Sequence, residues 1–157
     1  MISKIVSGGQ TGVDRAALDT AIALGFDCGG WCPAGRRAED GPIDAAYPLT
    51  ETPVPNYAVR TKWNVRDSDG TLVLSTLPLT GGTLLTEREA ARCNRPCLVV
   101  DLFDDTGFDE ALIEAARWIA QNRIEILNVA VPRESSRPGI GAKAALFLRA
   151  LLAGSIR

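Results

Sequence analysis

The residues of this chain best equipped for chemistry are those that can hold an anion. Two glycine-rich turns, Ser7-Gly8-Gly9-Gln10-Thr11-Gly12 and Leu79-Thr80-Gly81-Gly82-Thr83, each follow an apolar run and precede a helical stretch. A third segment, Pro132-Arg133-Glu134-Ser135-Ser136, follows another apolar run. Glycine lets backbone N–H groups approach a ligand closely, and the amino end of a helix attracts negative charge. Phosphate is the natural guest of such turns. The first turn is not a Walker loop, because no Gly-Lys-Ser/Thr is present, and it does not complete Gly-x-Gly-x-x-Gly. Either turn alone reads equally well as a tight connection with no ligand. The two together, joined by Arg133, Ser135 and Ser136, point to one anion site.

Other groups have their own candidate chemistry. Arg36, Arg37, Arg60 and Lys62 offer a basic rim for an acidic ligand, or plain surface charge. Glu39-Asp40 has the residue types of an acid/base pair and equally those of a solvated loop tip. Asp67 and Asp69, in Arg66-Asp67-Ser68-Asp69-Gly70, precede an apolar run and favour a turn away from the site. The chain has 157 residues and no histidine, which removes His-based triads and His-ligated metals. The cysteines fall as Cys28-x-x-x-Cys32 and Cys93-x-x-x-Cys97, a spacing that zinc tolerates. Cys28 and Cys97 lie in apolar runs, however, where a thiol acts as a small core hydrophobe. Reduced structural thiols and no structural metal are expected.

The elements that must position these groups follow from hydrophobic periodicity. Ile2 to Val6 reads as a strand, and Val13, Ala17, Ala21 and Leu24 share one face of a helix. Thr11 with Asp14 resembles a capping box, and Gly25 sits where a helix ends. Phe26 to Trp31 is expected as a second strand, followed by a long Pro-, Gly- and charge-rich excursion over 32–56. Pro55 suits the first turn of a helix running to about Val65. Thr71 to Ser75, Cys97 to Leu102 and Ile126 to Val131 are nearly continuous in apolar residues, as in parallel strands covered on both faces. Helices are expected over Leu84 to Arg92, Phe108 to Asn122 and Gly139 to Leu152. Leu112, Ile113, Ala116, Ile119 and Ala120 face inward in the second, and Ile140, Ala144, Phe147, Leu148, Leu151 and Leu152 in the third. This alternation predicts one α/β domain over 1–157. It is a doubly wound, Rossmann-like, mostly parallel sheet of about five to seven strands, with helices on both faces. Ligands of such sheets bind beyond the carboxyl ends of the strands, which is where both glycine turns and the Arg133 segment fall.

Composition narrows the function classes. Seventeen basic and nineteen acidic residues leave a net charge of −2, which argues against broad nucleic-acid binding. The hydrophobic fraction is 46% and the charged fraction 23%, values of an ordinary globular chain. Met1 to Val6 is too short for a signal segment, and no apolar stretch reaches the length of a membrane span. A soluble cytoplasmic protein with a small-molecule ligand is expected, without nucleic acid or membrane as partner.

Longer phrases carry a family resemblance. Ser7-Gly8-Gly9-Gln10-Thr11-Gly12-Val13-Asp14-Arg15, Gly29-Gly30-Trp31-Cys32-Pro33 and Gly35-Arg36-Arg37-Ala38-Glu39-Asp40-Gly41 resemble the family named for molybdenum cofactor carriers. Arg60-Thr61 with Asn64-Val65, Asp67-Ser68-Asp69-Gly70-Thr71, Gly81-Gly82-Thr83 and Leu127-Asn128-Val129-Ala130 with Pro132-Arg133-Glu134-Ser135 do so too. The resemblance spans nearly the whole chain. It implies a Rossmann-like homo-oligomer, dimer or tetramer, that binds the molybdopterin form of molybdenum cofactor and protects or delivers it. Molybdoenzymes or cofactor-synthesis proteins would then be its partners. The ligand residues so indicated are Gly8, Gly9, Gln10, Thr11, Gly12, Arg36, Arg60, Gly81, Gly82, Thr83, Arg133 and Ser135.

The wider group includes lysine-decarboxylase-like proteins and cytokinin-activating phosphoribohydrolases, whose motif Pro-Gly-Gly-x-Gly-Thr-x-x-Glu ends in a catalytic glutamate. When Gly82-Thr83 is matched to the motif's Gly-Thr, Thr86 stands at the glutamate position and Glu87 comes one residue late. One helical residue is about 100° of rotation, so Glu87 is no simple substitute. A binding protein is therefore favoured over a hydrolase. The alternatives are a phosphoribohydrolase-like enzyme using Glu39, Asp40 or Glu87 on nucleoside monophosphates, and a nucleotide sensor.

Overall fold

A computed structural model describes residues 1–104 and 106–155. In chain order the elements are β1 (Lys4–Val6), α1 (Val13–Leu24), β2 (Asp27–Gly29), β3 (Trp31–Cys32), β4 (Arg37–Ala38), β5 (Gly41–Pro42) and β6 (Thr50–Glu51). There follow α2 (Tyr57–Arg66), β7 (Gly70–Ser75), α3 (Gly81–Arg92), β8 (Cys97–Asp101), α4 (Phe108–Gln121), β9 (Ile126–Ala130) and α5 (Ile140–Ala153). Five strands form a wholly parallel sheet in the order β2-β1-β9-β7-β8. The expected α/β sheet is present, at the lower end of the expected strand number.

The strands alternate their side chains between two helical layers. Leu72, Leu74, Leu127 and Val129 point into the main core, which also takes Val13, Ala17 and Ala21 of α1, Ala115 and Ile119 of α4, and Ile140, Phe147 and Leu148 of α5. Val73 and Ala130 point to the other face, beneath α2 and α3. Full burial of a side chain such as Leu127 or Phe147 stabilises by about 1.5–3 kcal/mol. The second face is partly polar: buried Asn128 donates through Nδ2 to Thr71 Oγ1 at 3.2 Å.

The chain leaves β9 for α5 on one face and β7 for α3 on the other. Their carboxyl ends therefore diverge, and a crevice opens between neighbouring strands, the switch point where doubly wound sheets take ligands. With the chain read from β7 and the end of α5 joined to β1, the order of the sheet becomes 2-1-3-4-5, a common order of such sheets. The connectivity is that of a circular permutation.

Several local expectations are corrected. The second strand is broken: Asp27–Gly29 pairs with β1, whereas Trp31–Cys32 leaves the sheet to pair with Thr50–Glu51. The 32–56 excursion is not structureless, since it carries that ribbon and the β4–β5 hairpin, closed around Cys32, Ala38 and Ile43. Thr11 and Asp14 do not form a capping box; Gly12 caps α1 without a side-chain bond, and Asp14 is engaged elsewhere. Asn56 rather than Pro55 starts α2, its side chain accepting from the Ala58 amide at 2.8 Å. In α4 the buried stripe is Ala115 and Ile119 with Leu112 and Trp118 beside them, so Ile113, Ala116 and Ala120 face outward. A run of alanines around Ile113 offers two apolar faces, and periodicity alone does not choose between them. The inward residues of α5 are as expected.

Candidate functional site

The switch-point crevice is a cleft of about 360 Å³. Its walls are the α3 amino end (Thr80, Gly81, Gly82, Thr83), the segment after β9 (Val131, Pro132, Arg133, Ser136, Arg137) and the start of α2 (Tyr57, Arg60, Thr61). Gln10 alone reaches it from the first glycine turn. Apolar surface comes from Tyr57, Pro78, Leu85 and Val131. Among the described residues the lining holds three arginines and no Asp or Glu, a cation-rich surface suited to an anion.

Arg60 is the innermost cation. It is 6% exposed, and its Nη1 donates to Asp14 Oδ2 at 2.7 Å. The guanidinium lies against Gly8, where an added Cβ would stand 1.8 Å from Nη1. Gly8 is thus required for the approach of Arg60. Asp14 also accepts from the Gln10 amide through Oδ2 and from the Val131 amide through Oδ1, both at 3.3 Å. One buried carboxylate therefore ties the β1–α1 turn, α2 and the end of β9 together. Gly12 has a φ of +78°, and a Cβ there would meet Pro132 O at 2.6 Å, so the first turn must stay glycine to pack against the β9–α5 segment.

At the second glycine turn the space is open. Nothing lies within 4 Å of a Cβ built on Gly81 or Gly82, and only Gly81 has a positive φ, +54°. Thr80 caps α3 without a side-chain bond, so the first-turn amides of Gly81 and Gly82 are available to the cleft. Thr86, at the position of the hydrolase glutamate, is buried and donates to Gly82 O at 2.8 Å. Glu87 is exposed and lies outside the cleft lining.

The expected ligand residues thus separate into two groups. Gln10, Arg60, Gly81, Gly82, Thr83 and Arg133 line the cleft together. Gly8, Gly9, Gly12, Thr11, Arg36 and Ser135 do not. Gly9 packs toward Leu49 and Ile43, and Arg36 donates to the carbonyls of Ile43, Asp44, Tyr47 and Leu49, fastening the excursion to itself. The two glycine turns open at the same edge but flank β9 rather than adjoin. Sequence reasoning missed Tyr57 and Arg137. Arg137 lies one residue past the 132–136 segment, and Tyr57, in the helix expected from Pro55, carries neither charge nor glycine to mark it.

The hairpin tip closes over both site loops. Glu39 accepts from Thr11 Oγ1, Ser135 Oγ and the Ser135 amide (3.1 Å), while its own amide donates to Gln10 Oε1 at 2.9 Å. Asp40 binds Arg15 through both oxygens, at 2.7 and 3.2 Å. Burial opposes ionisation of Glu39, but the hydrogen bonds from Ser135 and Thr11 outweigh it and hold its carboxyl below the usual range. The bond from Arg15 lowers Asp40, and the Arg66 bond lowers Asp67. Carboxyls lowered on folding contribute stability that is present above their unfolded values and lost as pH falls through the folded ones. Thermal melts are therefore expected to hold level down to about pH 4.5 and to fall steadily below it. Glu39→Gln should show a shallower acid slope than the wild type. A melting temperature that fell between pH 7 and 5 would contradict this.

The remaining candidates are structural. Asp69 Oδ2 accepts from the amides of Glu125 (3.1 Å) and Ile126 (2.7 Å), and Asp67 accepts from Trp31 Nε1 at 2.9 Å, both at the amino end of β7 away from the cleft. All four cysteines are free thiols. Burial raises the thiols of Cys28, Cys32 and Cys97, the last to about 11. Among the described residues no three His, Cys, Asp or Glu side chains cluster as metal ligands. No described helix is long and apolar enough to cross a membrane.

A family profile, the circularly permutated YpsA SLOG family, matches residues 5–152. Among solved structures, "Putative molybdenum carrier protein" from Syntrophus aciditrophicus SB, at 1.45 Å resolution, is 44% identical to this chain. The alignment covers 96% of this chain and 95% of that one, with a TM-score of 0.93. None of the curated proteins matches.

Proposed function

Since this chain belongs to the circularly permutated YpsA SLOG family, we propose that it binds a phosphorylated pterin or nucleotide-like small molecule in the cleft between β7 and β9. The specific ligand is molybdenum cofactor in its molybdopterin form, which the protein carries rather than transforms. The observation that supports this reading is the cleft lining itself: three arginines, the open amino end of α3, and no carboxylate among the described lining residues. A terminal phosphate suits the Gly81 and Gly82 amides with Arg133 and Arg137 opposite. The apolar walls at Tyr57, Pro78, Leu85 and Val131 suit a flat ring system.

Cleavage of a nucleotide's N-glycosidic bond needs an acid or base beside the bond. Glu39 is held by Thr11 and Ser135, Asp40 by Arg15, and Glu87 lies outside the cleft lining. The name of the Syntrophus protein agrees with a carrier. Calorimetric titration with molybdopterin and with nucleoside monophosphates, beside an assay for ribose 5-phosphate, tests the reading. Saturable binding without release of ribose 5-phosphate is expected; turnover would place the protein among the hydrolases.

We also propose that the chain self-associates through the outer face of α5. Ala142, Leu146, Ala150 and Ala153 are all exposed there, beside Arg149, so the helix carries apolar residues on its outward side as well as its buried one. Light scattering is expected to report a dimer or tetramer for the wild type and a monomer for Leu146→Glu. A wild-type monomer at all concentrations would overturn this.

A further inference from the structure

We propose that Glu39 sets the anion affinity of the cleft by two opposed effects: it positions the segment after β9, and it competes with the ligand for Arg133. The inference rests on the reading of the cleft as an anion site. It starts from the β4–β5 hairpin, whose tip is stitched to both loops beside the cleft. Glu39 receives the amide and hydroxyl of Ser135 and the hydroxyl of Thr11, while Thr11 Oγ1 in turn accepts from the Glu134 amide at 3.1 Å. These bonds fix the stretch that carries Arg133, Ser136 and Arg137 to the cleft wall.

The same carboxylate lies 3.9 Å from Arg133 Nε, too long for a hydrogen bond and close enough for an ion pair. The Arg133 side chain is half-exposed and so free to swing, whereas the Glu39 side chain is 20% exposed and held by three donors. A phosphate entering the cleft therefore draws Arg133 away from a fixed negative charge. Glu39 helps by holding the backbone and hinders by its charge.

The two effects separate by substitution. A glutamine keeps the shape: its oxygen accepts from Thr11 and the Ser135 amide, and its NH2 group donates to Ser135 Oγ. It removes the charge. Alanine removes both. With inorganic phosphate and GMP as probes, Glu39→Gln is expected to bind about threefold tighter than the wild type, since one nearby like charge is gone. Glu39→Ala is expected to bind about tenfold weaker, because the segment loses the hydrogen bonds that order it. Hydrogen exchange at the Ser135 amide should quicken in Glu39→Ala and stay slow in Glu39→Gln.

Affinity moving in the same direction in both variants, or in neither, would overturn the proposal. So would equal Ser135 exchange in all three proteins, a readout that needs no ligand. Failure of the wild type to bind either probe would overturn the anion-site reading instead, leaving the exchange experiment to decide whether Glu39 positions the segment.

Discussion

Replacing Asp14 with alanine is expected to destabilise the protein by about 3–5 kcal/mol, the usual consequence of removing one partner of a buried ion pair. Asp14 is 2% exposed, and its loss leaves the Arg60 guanidinium charged and unpaired beneath α2. Arg60 packs against Gly8 and Tyr57, and leaving them for the cleft would give up both contacts. The substitution also removes the acceptor of the Gln10 and Val131 amides, so three walls of the cleft loosen at once. In a domain of this size the melting temperature should fall by about 10 °C or more. Urea unfolding of Asp14→Ala beside the wild type is the measurement. A loss below about 1 kcal/mol would mean that the pair is not the clamp described.

Gly82→Asp is expected to have the opposite profile: a folded protein that no longer binds. The position is open, with nothing within 4 Å of the new Cβ, and its φ is not in the left-handed region. Aspartate in the first turn of α3 favours the helix through its dipole, and any residue but proline improves on glycine in a helix. The melting temperature should therefore hold or rise. The carboxylate stands where the α3 amides would meet a phosphate, and like charges at about 4 Å repel by up to ~4 kcal/mol at a protein surface. Affinity should drop at least about a hundredfold, or roughly 2.8 kcal/mol. Wild-type affinity in this variant would move the phosphate away from α3. Unfolding would show instead that Gly82 serves the fold.

How far the sequence was legible depended on the range of the forces involved. Apolar runs and 3.6-residue periodicity revealed every strand of the central sheet except the break at Gly30, because burial on both faces leaves a local signature. The second glycine turn opens onto the cleft, and its backbone amides need no distant partner to face it. Of the first turn, Gln10 lines the cleft and the glycines serve packing. Gly8 and Gly12 are glycines because Arg60 and Pro132 pack against them, and those partners lie 52 and 120 positions away along the chain. Asp14 looked like a cap for the same reason, its real partner being Arg60. Glu39 looked like a candidate acid until the fold placed Ser135 beside it. Long-range polar pairing leaves no period in a sequence, and here it decides which residues face the cleft.

On the proposed reading the β7–β9 cleft holds a phosphorylated ligand without cleaving it. Native mass spectrometry of the wild type purified from its own cells tests this most directly, with Gly82→Asp prepared in parallel. The expected spectrum shows one molybdopterin-sized adduct per wild-type chain and none on the variant. Equal adducts on both proteins, or a bare wild type that releases ribose 5-phosphate from added nucleoside monophosphates, would contradict it.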